Sequence, residues 1–359
     1  MKEKNTPSDT SAAPQGSGSA HKPVNLARIA LWVTAILVVL TFFLVAPILI
    51  MGTDNDAIIR IPDGATREMV RDSLAKYFGD SYATRVDRLI EARNTDMSRR
   101  NGAYRIRKGD TPFNAMRRLT GGSQEPVRIT VNGFRSLSDL TERIGRRMEF
   151  PADSLRHVLA DTTLMSRYNL TPEQALSLFV EDSYDVYWSS DAVSFTEKIG
   201  HHYINVWNGR RRAEAAALGL TPAEVMIIAS IVDEESNKRD EKGRIGRLYI
   251  NRLKAGMPLQ ADPTVRFALG DFSIRRITGE HLKTQSPYNT YLHKGLPPGP
   301  IRTTSTATID AILGSLPSED LYMCAREDFS GYHNFTSDYD EHLANARRYQ
   351  EQLNRKNIH

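Results

Sequence analysis

The sequence predicts an α+β protein carried behind a single N-terminal membrane-spanning helix, and three observations lead there. Residues 29–51 run without a charge. Beyond them, short β-branched runs alternate with amphipathic helical segments, the mixed pattern of an α+β fold. Further on, residues 225–232 are apolar on nearly every face and run into three consecutive acids, Asp233, Glu234 and Glu235. At 359 residues the chain is long enough for two domains, or for one domain with a sizeable accessory lobe.

The first 25 residues are rich in Ser, Thr, Pro, Ala and Gly and have too few large apolar groups to fold. The apolar run Ile29–Met51 is long enough to cross the roughly 30 Å of bilayer hydrocarbon at about 1.5 Å per residue. Pro47 falls near its end, where a missing backbone donor matters least. A cleavable signal peptide would have a shorter apolar core followed by a small-x-small site, and Ile48–Gly52 offers none. Lys2, Lys4, Lys22 and Arg28 precede the span and Asp54 and Asp56 follow it. The positive-inside rule therefore leaves the N-terminus cytoplasmic and exports the rest.

Composition mostly excludes. A formal charge of +4, with acids and bases interleaved, is an ordinary soluble surface and not a nucleic-acid-binding stripe. The single cysteine, Cys324, rules out an intramolecular disulfide and reads as a buried structural thiol on a strand. The nine histidines show no metal-ligand spacing, so neither a metal nor another cofactor is expected.

A pattern of β-branched run, glycine turn and amphipathic helix recurs three times after the span. It runs through Ile58–Thr66 into a helix at Arg67–Tyr77, through Tyr104–Thr111 into one opening at Pro112, and through Val127–Gly133 into one from about Ser136. Thr66 and Thr111 are suited to N-caps, and Pro112 fits the first helical position. Units of this size resemble LysM modules, which bind N-acetylglucosamine-containing glycans; the plainer reading is small α+β packing units. Residues 150–205 read as mainly helical, with an irregular aromatic piece at Leu178–Trp188. Gly209–Leu220 reads as a charged helix and loop.

Thr221-Pro222-Ala223-Glu224 combines a Thr cap, Pro at the first helical position and Glu closing a capping box. In the helix it opens, Glu235 lies seven, four and three residues after Ile228, Ile231 and Val232, on the same face as three aliphatics. Acids at a helix C-terminus oppose the dipole. Desolvation and that dipole both raise a carboxyl pKa, as a general acid at neutral pH requires. The plainer reading makes the three acids merely the exposed end of the helix. A second amphipathic helix follows from about Lys242 to Ala255, with Ile245, Leu248, Tyr249 and Leu253 on its stripe. In Leu259–Val265, Asp262-Pro263 reads as a turn or extended segment. Ser286–Tyr291 and Gly295–Ile301 are stiff loops dense in hydrogen-bonding groups, the kind that more often carry a site than link elements.

In order, Ala229-Ser230-Ile231-Val232-Asp233-Glu234-Glu235-Ser236, Tyr249–Leu253, Gly256–Val265, Tyr288–Tyr291 and Gly295–Ile301 resemble the motifs of the endolytic murein transglycosylases, the MltG or YceG-like family. The resemblance covers about residues 57–352 and the N-terminal anchor. Its catalytic glutamate, the second acid of E-x-E, falls on Glu235. The resemblance implies that this residue protonates the glycosidic oxygen between MurNAc and GlcNAc. It then serves as base while the MurNAc C6 hydroxyl closes onto C1, leaving a 1,6-anhydro end. The chain departs from the pattern at Asp233 for Glu, at Ala261 for Thr, in Val180–Tyr184, and in Ile301–Ser305.

On this resemblance the expected layout is a disordered cytoplasmic tail at 1–28, a transmembrane helix at 29–51, a LysM-like subdomain at 57–124, a connecting α+β region at 125–205 and a catalytic domain at 206–359. Glu235 is the expected acid and base; Asp233, Gln260, Asp262, Tyr288 and Asn289 are expected to shape and contact the sugar subsites. His333 reads either as a sugar contact or as hairpin packing. The implied setting is the inner (plasma) membrane, with the exported region cutting peptidoglycan strands beside penicillin-binding-protein synthases, and the implied strands are nascent ones. Two rivals stand beside this: a hydrolase using Asp233 or Asp262 to activate water, and a non-catalytic glycan-binding scaffold. Near the C-terminus, Leu321–Arg326 and Gly331–Thr336 read as a hairpin, and Ser337 with Asp340 as the cap of a last helix.

Overall fold

The structure, a computed structural model, describes residues 25–274 and 276–356. Most of the expected cytoplasmic tail therefore lies outside the described residues. Helix α1, Leu26–Leu49, has no buried residue and carries Pro47 in its last turn. At about 1.5 Å per residue it is roughly 36 Å long, enough to cross a bilayer. Thr34 and Thr41 donate their hydroxyls to the carbonyls of Ala30 and Leu37, which hides their polarity along an apolar rod.

The first lobe is built as strand, two helices, strand, helix: β1 (Ala57–Ile61), α2 (Arg67–Phe78), α3 (Asp80–Ala92), β2 (Gly102–Ile106) and α4 (Pro112–Gly121). The first two strand–helix units are not separate modules, because β1 and β2 pair antiparallel, from Ala57 opposite Ile106 to Ile61 opposite Gly102. A two-stranded ribbon needs a covered face, and this one buries Ile59, Ile61, Tyr104 and Ile106 against Val70, Leu74, Val86, Ile90 and Leu119. Thr66 and Thr111 cap α2 and α4, accepting from the backbone N–H groups of Met69 and Asn114. Helix α3 lies in a stretch the repeat pattern left unassigned.

The rest of the described chain forms a second body: β3 (Val127–Val131), α5 (Leu137–Gly145), α6 (Ala152–Leu159), α7 (Thr162–Ser166), β4 (Asp182–Val186), α8 (Ala192–Val206), α9 (Gly209–Leu218), α10 (Pro222–Glu235), α11 (Lys242–Lys254), α12 (Asp262–Leu269), α13 (Thr306–Leu313), β5 (Tyr322–Ala325), β6 (His333–Thr336) and α14 (Tyr339–Arg355). One apolar core runs from Ile129 to Leu313, so the expected connecting region and catalytic domain share it. The aromatic piece read as irregular contains β4, which pairs antiparallel with β3 and turns Tyr184 and Val186 inward. Asp262-Pro263, read as a turn or extended segment, instead opens α12, since proline without its N–H fits a first helical turn. The last helix is capped by Asp338, whose carboxylate accepts from Glu341 N, and not by Ser337.

Helix α10 is the axis of this body. Its capping box holds, with Thr221 accepting from Glu224 N and Glu224 accepting from Thr221 N. Every residue from Val225 to Val232 is buried. Burying each large aliphatic there contributes roughly 1.5–3 kcal/mol relative to exposure, so α10 is held by packing on all sides. Its C-terminal turn is the part that reaches polar surroundings.

Candidate active site

The three acids at the end of α10 point in three directions because successive helical residues are about 100° apart. Asp233 turns toward α11 and α13: it accepts from Lys242 Nζ at 2.5 Å, Thr304 Oγ1 at 2.5 Å and Thr308 Oγ1 at 2.7 Å. Its side chain is 6 % exposed. Glu234 receives a two-pronged contact from Arg135, at 2.9 and 3.0 Å, and a third from Arg302 at 2.9 Å. Only Glu235 faces the open cleft.

Glu235 is half-buried, and its Oε1 accepts from the Tyr249 hydroxyl at 2.6 Å. Tyr249 comes from α11 and is itself buried. Burial pushes the Glu235 pKa up to about 7; the Tyr249 hydrogen bond pulls against this, and the negative charge of Asp262 adds to it. Asp262, in the first turn of α12, lines the same cavity of about 480 Å³ and accepts from the Tyr291 hydroxyl at 2.6 Å. The cleft thus holds two carboxyl groups, each oriented by its own tyrosine. Its far wall is the β5–β6 hairpin and the start of α14, which contribute Tyr322, Cys324, His333 and Tyr339.

The loop carrying Gln260 and Asp262 is pinned from beneath. Thr290 accepts from Ala261 N at 3.0 Å, its carbonyl accepts from Gln260 N at 3.1 Å, and its hydroxyl meets that of Thr264 at 2.8 Å. Gln260 sits at φ 53°, in the left-handed region that disfavours a side chain, and Arg252 donates to its Oε1. Backbone strain at a cleft-lining position marks a loop held in place by its surroundings. Ser230 holds the proline-rich loop, accepting from Ile301 N at 3.0 Å.

Of the sequence-predicted residues, the structure brings Glu235, Gln260 and Asp262 to one cleft. It places the other three elsewhere. Asp233 is enclosed by its lysine and two threonines. Asn289 is fully buried, donating to the carbonyls of Leu282 and Thr284 and accepting from Tyr291 N, so it braces its own loop. Tyr288 packs on Phe267 with ring centroids 4.6 Å apart. His333 lines the cleft, and its Nδ1 lies 3.0 Å from Glu241. Cys324 is half-buried and lines the cleft instead of the core.

Sequence reasoning assigned Tyr249 to an apolar stripe, left Arg252 facing either solvent or a site and gave no role to Arg266; all three line the cavity. A tyrosine interrupting an aliphatic stripe was the available signal, because a buried hydroxyl needs a partner. The departures from the family pattern are linked in space. Glu181 accepts from Gly133 N and Thr303 Oγ1, Arg302 spans Glu181 and Glu234, and Thr304 reaches Asp233. The departures at 181, 233 and 304 thus meet beneath the site, since the Thr304 carbonyl also accepts from Glu181 N at 2.9 Å.

Replacing Tyr249 by phenylalanine removes the one hydrogen bond that favours the ionised form of Glu235. The Glu235 pKa should therefore rise above 7 in Tyr249→Phe, a shift readable by carboxyl ¹³C titration. An unchanged or lowered value would show that the hydroxyl does not govern this acid.

A sequence model of the YceG-like family matches residues 59–348. A protein of Bacillus subtilis (strain 168) named endolytic murein transglycosylase is 35 % identical over 133 residues, 37 % of this chain and 36 % of the relative. One of the same name from Streptococcus pneumoniae serotype 2 (strain D39) is 32 % identical over 131 residues, 35 % of this chain and 24 % of that one. The chain thus spans 36 % and 24 % of the length of these curated relatives. The crystal structure of a YceG-like protein from Listeria monocytogenes superposes with a TM-score of 0.52 at 22 % identity, over 80 % of this chain and 98 % of that one, which establishes a shared fold.

Proposed function

The chain belongs to the YceG-like family, and from that premise we propose that it is an endolytic peptidoglycan lytic transglycosylase, cutting the MurNAc–GlcNAc bond within glycan strands. The observation that carries this reading is Glu235, a carboxyl with a pKa near 7, oriented by Tyr249 at the floor of an open cleft. About half of such groups hold a proton at neutral pH, where a carboxyl of ordinary pKa is almost wholly ionised.

In the first step the Glu235 proton passes to the glycosidic oxygen as the bond from MurNAc C1 breaks and positive charge develops on the sugar. Asp262, held by Tyr291, offers a fixed negative charge facing the same space. In the second step the ionised Glu235 takes the proton of the MurNAc C6 hydroxyl as that oxygen closes onto C1. The nucleophile comes from the substrate, no water is consumed, and Glu235 ends protonated for the next cycle. Because the acid must start protonated, the rate should fall as pH rises through about 7.

The family resemblance and the apolar, exposed α1 support a bitopic protein, anchored in the membrane with the cleft on the extracytoplasmic side. Such an anchor keeps the cleft near the membrane, where strands are made, and favours nascent strands and a neighbouring penicillin-binding synthase. By its resemblance to LysM modules, the first lobe is assigned the holding of a strand in this reading. One observation favours a second reading: Asp262 is a second carboxylate in the cleft, as a hydrolase requires.

Product chemistry decides between them. Full-length protein in detergent, incubated with uncrosslinked strands, should yield shorter strands ending in 1,6-anhydroMurNAc by mass spectrometry. Reducing ends would move the function to hydrolysis, and strands bound but uncut would leave a scaffold.

A further inference from the structure

Glu235 and Asp262 are not the only charged groups in the cleft. Arg252 and Arg266 line it too, and among the described residues neither has a carboxylate within ion-pair distance. Arg252 is buried, yet its guanidinium donates only to neutral oxygens, those of Pro258 and Gln260. Arg266 stands four residues after Asp262 on α12, on the same helix face, and its Nε is buried without a hydrogen-bond partner. A second buried nitrogen without a partner, Nδ1 of His342, belongs to the same lining. Its ring stacks on Tyr322 at 5.3 Å, and the Arg252 guanidinium lies 5.7 Å from the Tyr322 ring on which both residues converge.

Buried donors in folded proteins are almost always satisfied, and an Nε shut off from solvent cannot turn to bulk water. Arg252 and Arg266 share the cleft with Glu235 and Asp262 but make no direct ion pair with either, so their planar guanidinium forks are open to the carboxylate of an incoming ligand. The sugars of a murein strand are neutral. Its negative charges are carboxylates on the muramyl substituent, either those of the peptide stem or, where the stem has been removed, that of the lactyl group.

We infer that Arg266, backed by Arg252, is a recognition residue for a carboxylate carried by the muramyl substituent beside the bond to be cut. This deepens the proposed function and rests on it for the identity of the substrate. The cleft then selects strands with free carboxylates over strands whose carboxylates are masked. A charge-assisted fork of this kind sets the expected discrimination at about 10- to 100-fold.

Binding is measured with full-length protein carrying Glu235→Gln, using fluorescently labelled strands, so the readout does not require cleavage. Three ligands are compared: strands with free stem carboxylates, the same strands amidated at those carboxylates, and strands stripped to the lactyl group. The free-carboxylate strands should bind about 10- to 100-fold more tightly than the amidated ones. Adding Arg266→Gln should abolish that difference, and Arg266→Lys should restore part of it by charge without the fork. Tight binding of the stripped strands assigns the carboxylate to the lactyl group, and weak binding assigns it to the stem.

Equal binding of all three ligands, a comparison that needs no change at Arg266, would overturn the inference. So would an Arg266→Gln loss of the same size on all three ligands. In the wild-type background the subsite should appear in KM, with kcat held within a few-fold. Carboxylate-selective binding by a protein that cuts no strand would leave the subsite standing and remove the proposed reaction. Anhydro products made without selectivity would do the reverse.

Discussion

Glu235→Gln should lower strand cleavage by at least about 10³-fold while leaving the fold intact. A positioned general acid typically accounts for about 10²–10⁴ in rate, and here the same group serves both steps. Glutamine keeps the shape and can still accept from the Tyr249 hydroxyl, so loss of activity would report loss of the proton and not of structure. Near-wild-type turnover by this variant would remove Glu235 from the chemistry.

The substitution also carries a stability signature. In the unfolded chain a glutamate titrates near 4.5, whereas in the fold Glu235 titrates at about 7. Below 4.5 both states hold the proton, and the native side chain behaves much like glutamine. As pH rises from 4.5 to about 7 the unfolded state releases its proton first, so the wild type loses stability across that window. Above it the fold carries a desolvated carboxylate. Glu235→Gln should therefore match the wild type near pH 4 and exceed it above pH 7, by roughly 2 kcal/mol once the opening to solvent is allowed for. Thermal unfolding at the two pH values reads this directly; a variant less stable than the wild type at pH 8 would show that burial does not raise this pKa.

Asp233→Ala should have the largest effect on stability, about 3–5 kcal/mol, read as a lowered unfolding midpoint in urea or on heating. Its carboxylate receives the Lys242 ammonium and two threonine hydroxyls in a nearly closed pocket joining α10, α11 and α13. Removing one partner of a buried pair leaves the other charge uncompensated, with only Thr308 Oγ1 at 3.2 Å to receive it. The protein that remains folded should still cleave strands with an unchanged KM, because this carboxylate does not reach the cleft. A variant of normal stability with a raised KM would restore Asp233 to the substrate contacts that the sequence alone assigns it.

Where the sequence was informative, the information was local. The start of α10 was legible because a threonine cap, a proline and a capping-box glutamate act within one turn. Helix α11 was legible from its aliphatic stripe, and α1 from a run of apolar residues that needs no partner to be recognised. Glu235 could be singled out because its spacing from Ile228, Ile231 and Val232 is a property of the helix itself. The strand pairings were not legible. The partner of β1 lies beyond two helices, and β4 reaches β3 across three more, with nothing nearby in sequence to mark either pairing. Asp262-Pro263 read as a turn or extended segment, and only the packing of the residues after it makes it a helix start.

The sequence by itself determined the membrane-length helix, the mixed α+β class, the helix carrying the acids and which of the three lies among aliphatics. These follow from periodicity, capping and charge, which act over a few residues. Only the tertiary structure decided which acid meets the cleft and which are consumed in holding it together. Because α10 is apolar on nearly every face, it has no solvent side from which to read a direction. The roles of Asp233, Glu234 and Glu235 are set by what packs beside each: Lys242 with Thr304 and Thr308, Arg135 with Arg302, and a tyrosine hydroxyl on the edge of open space.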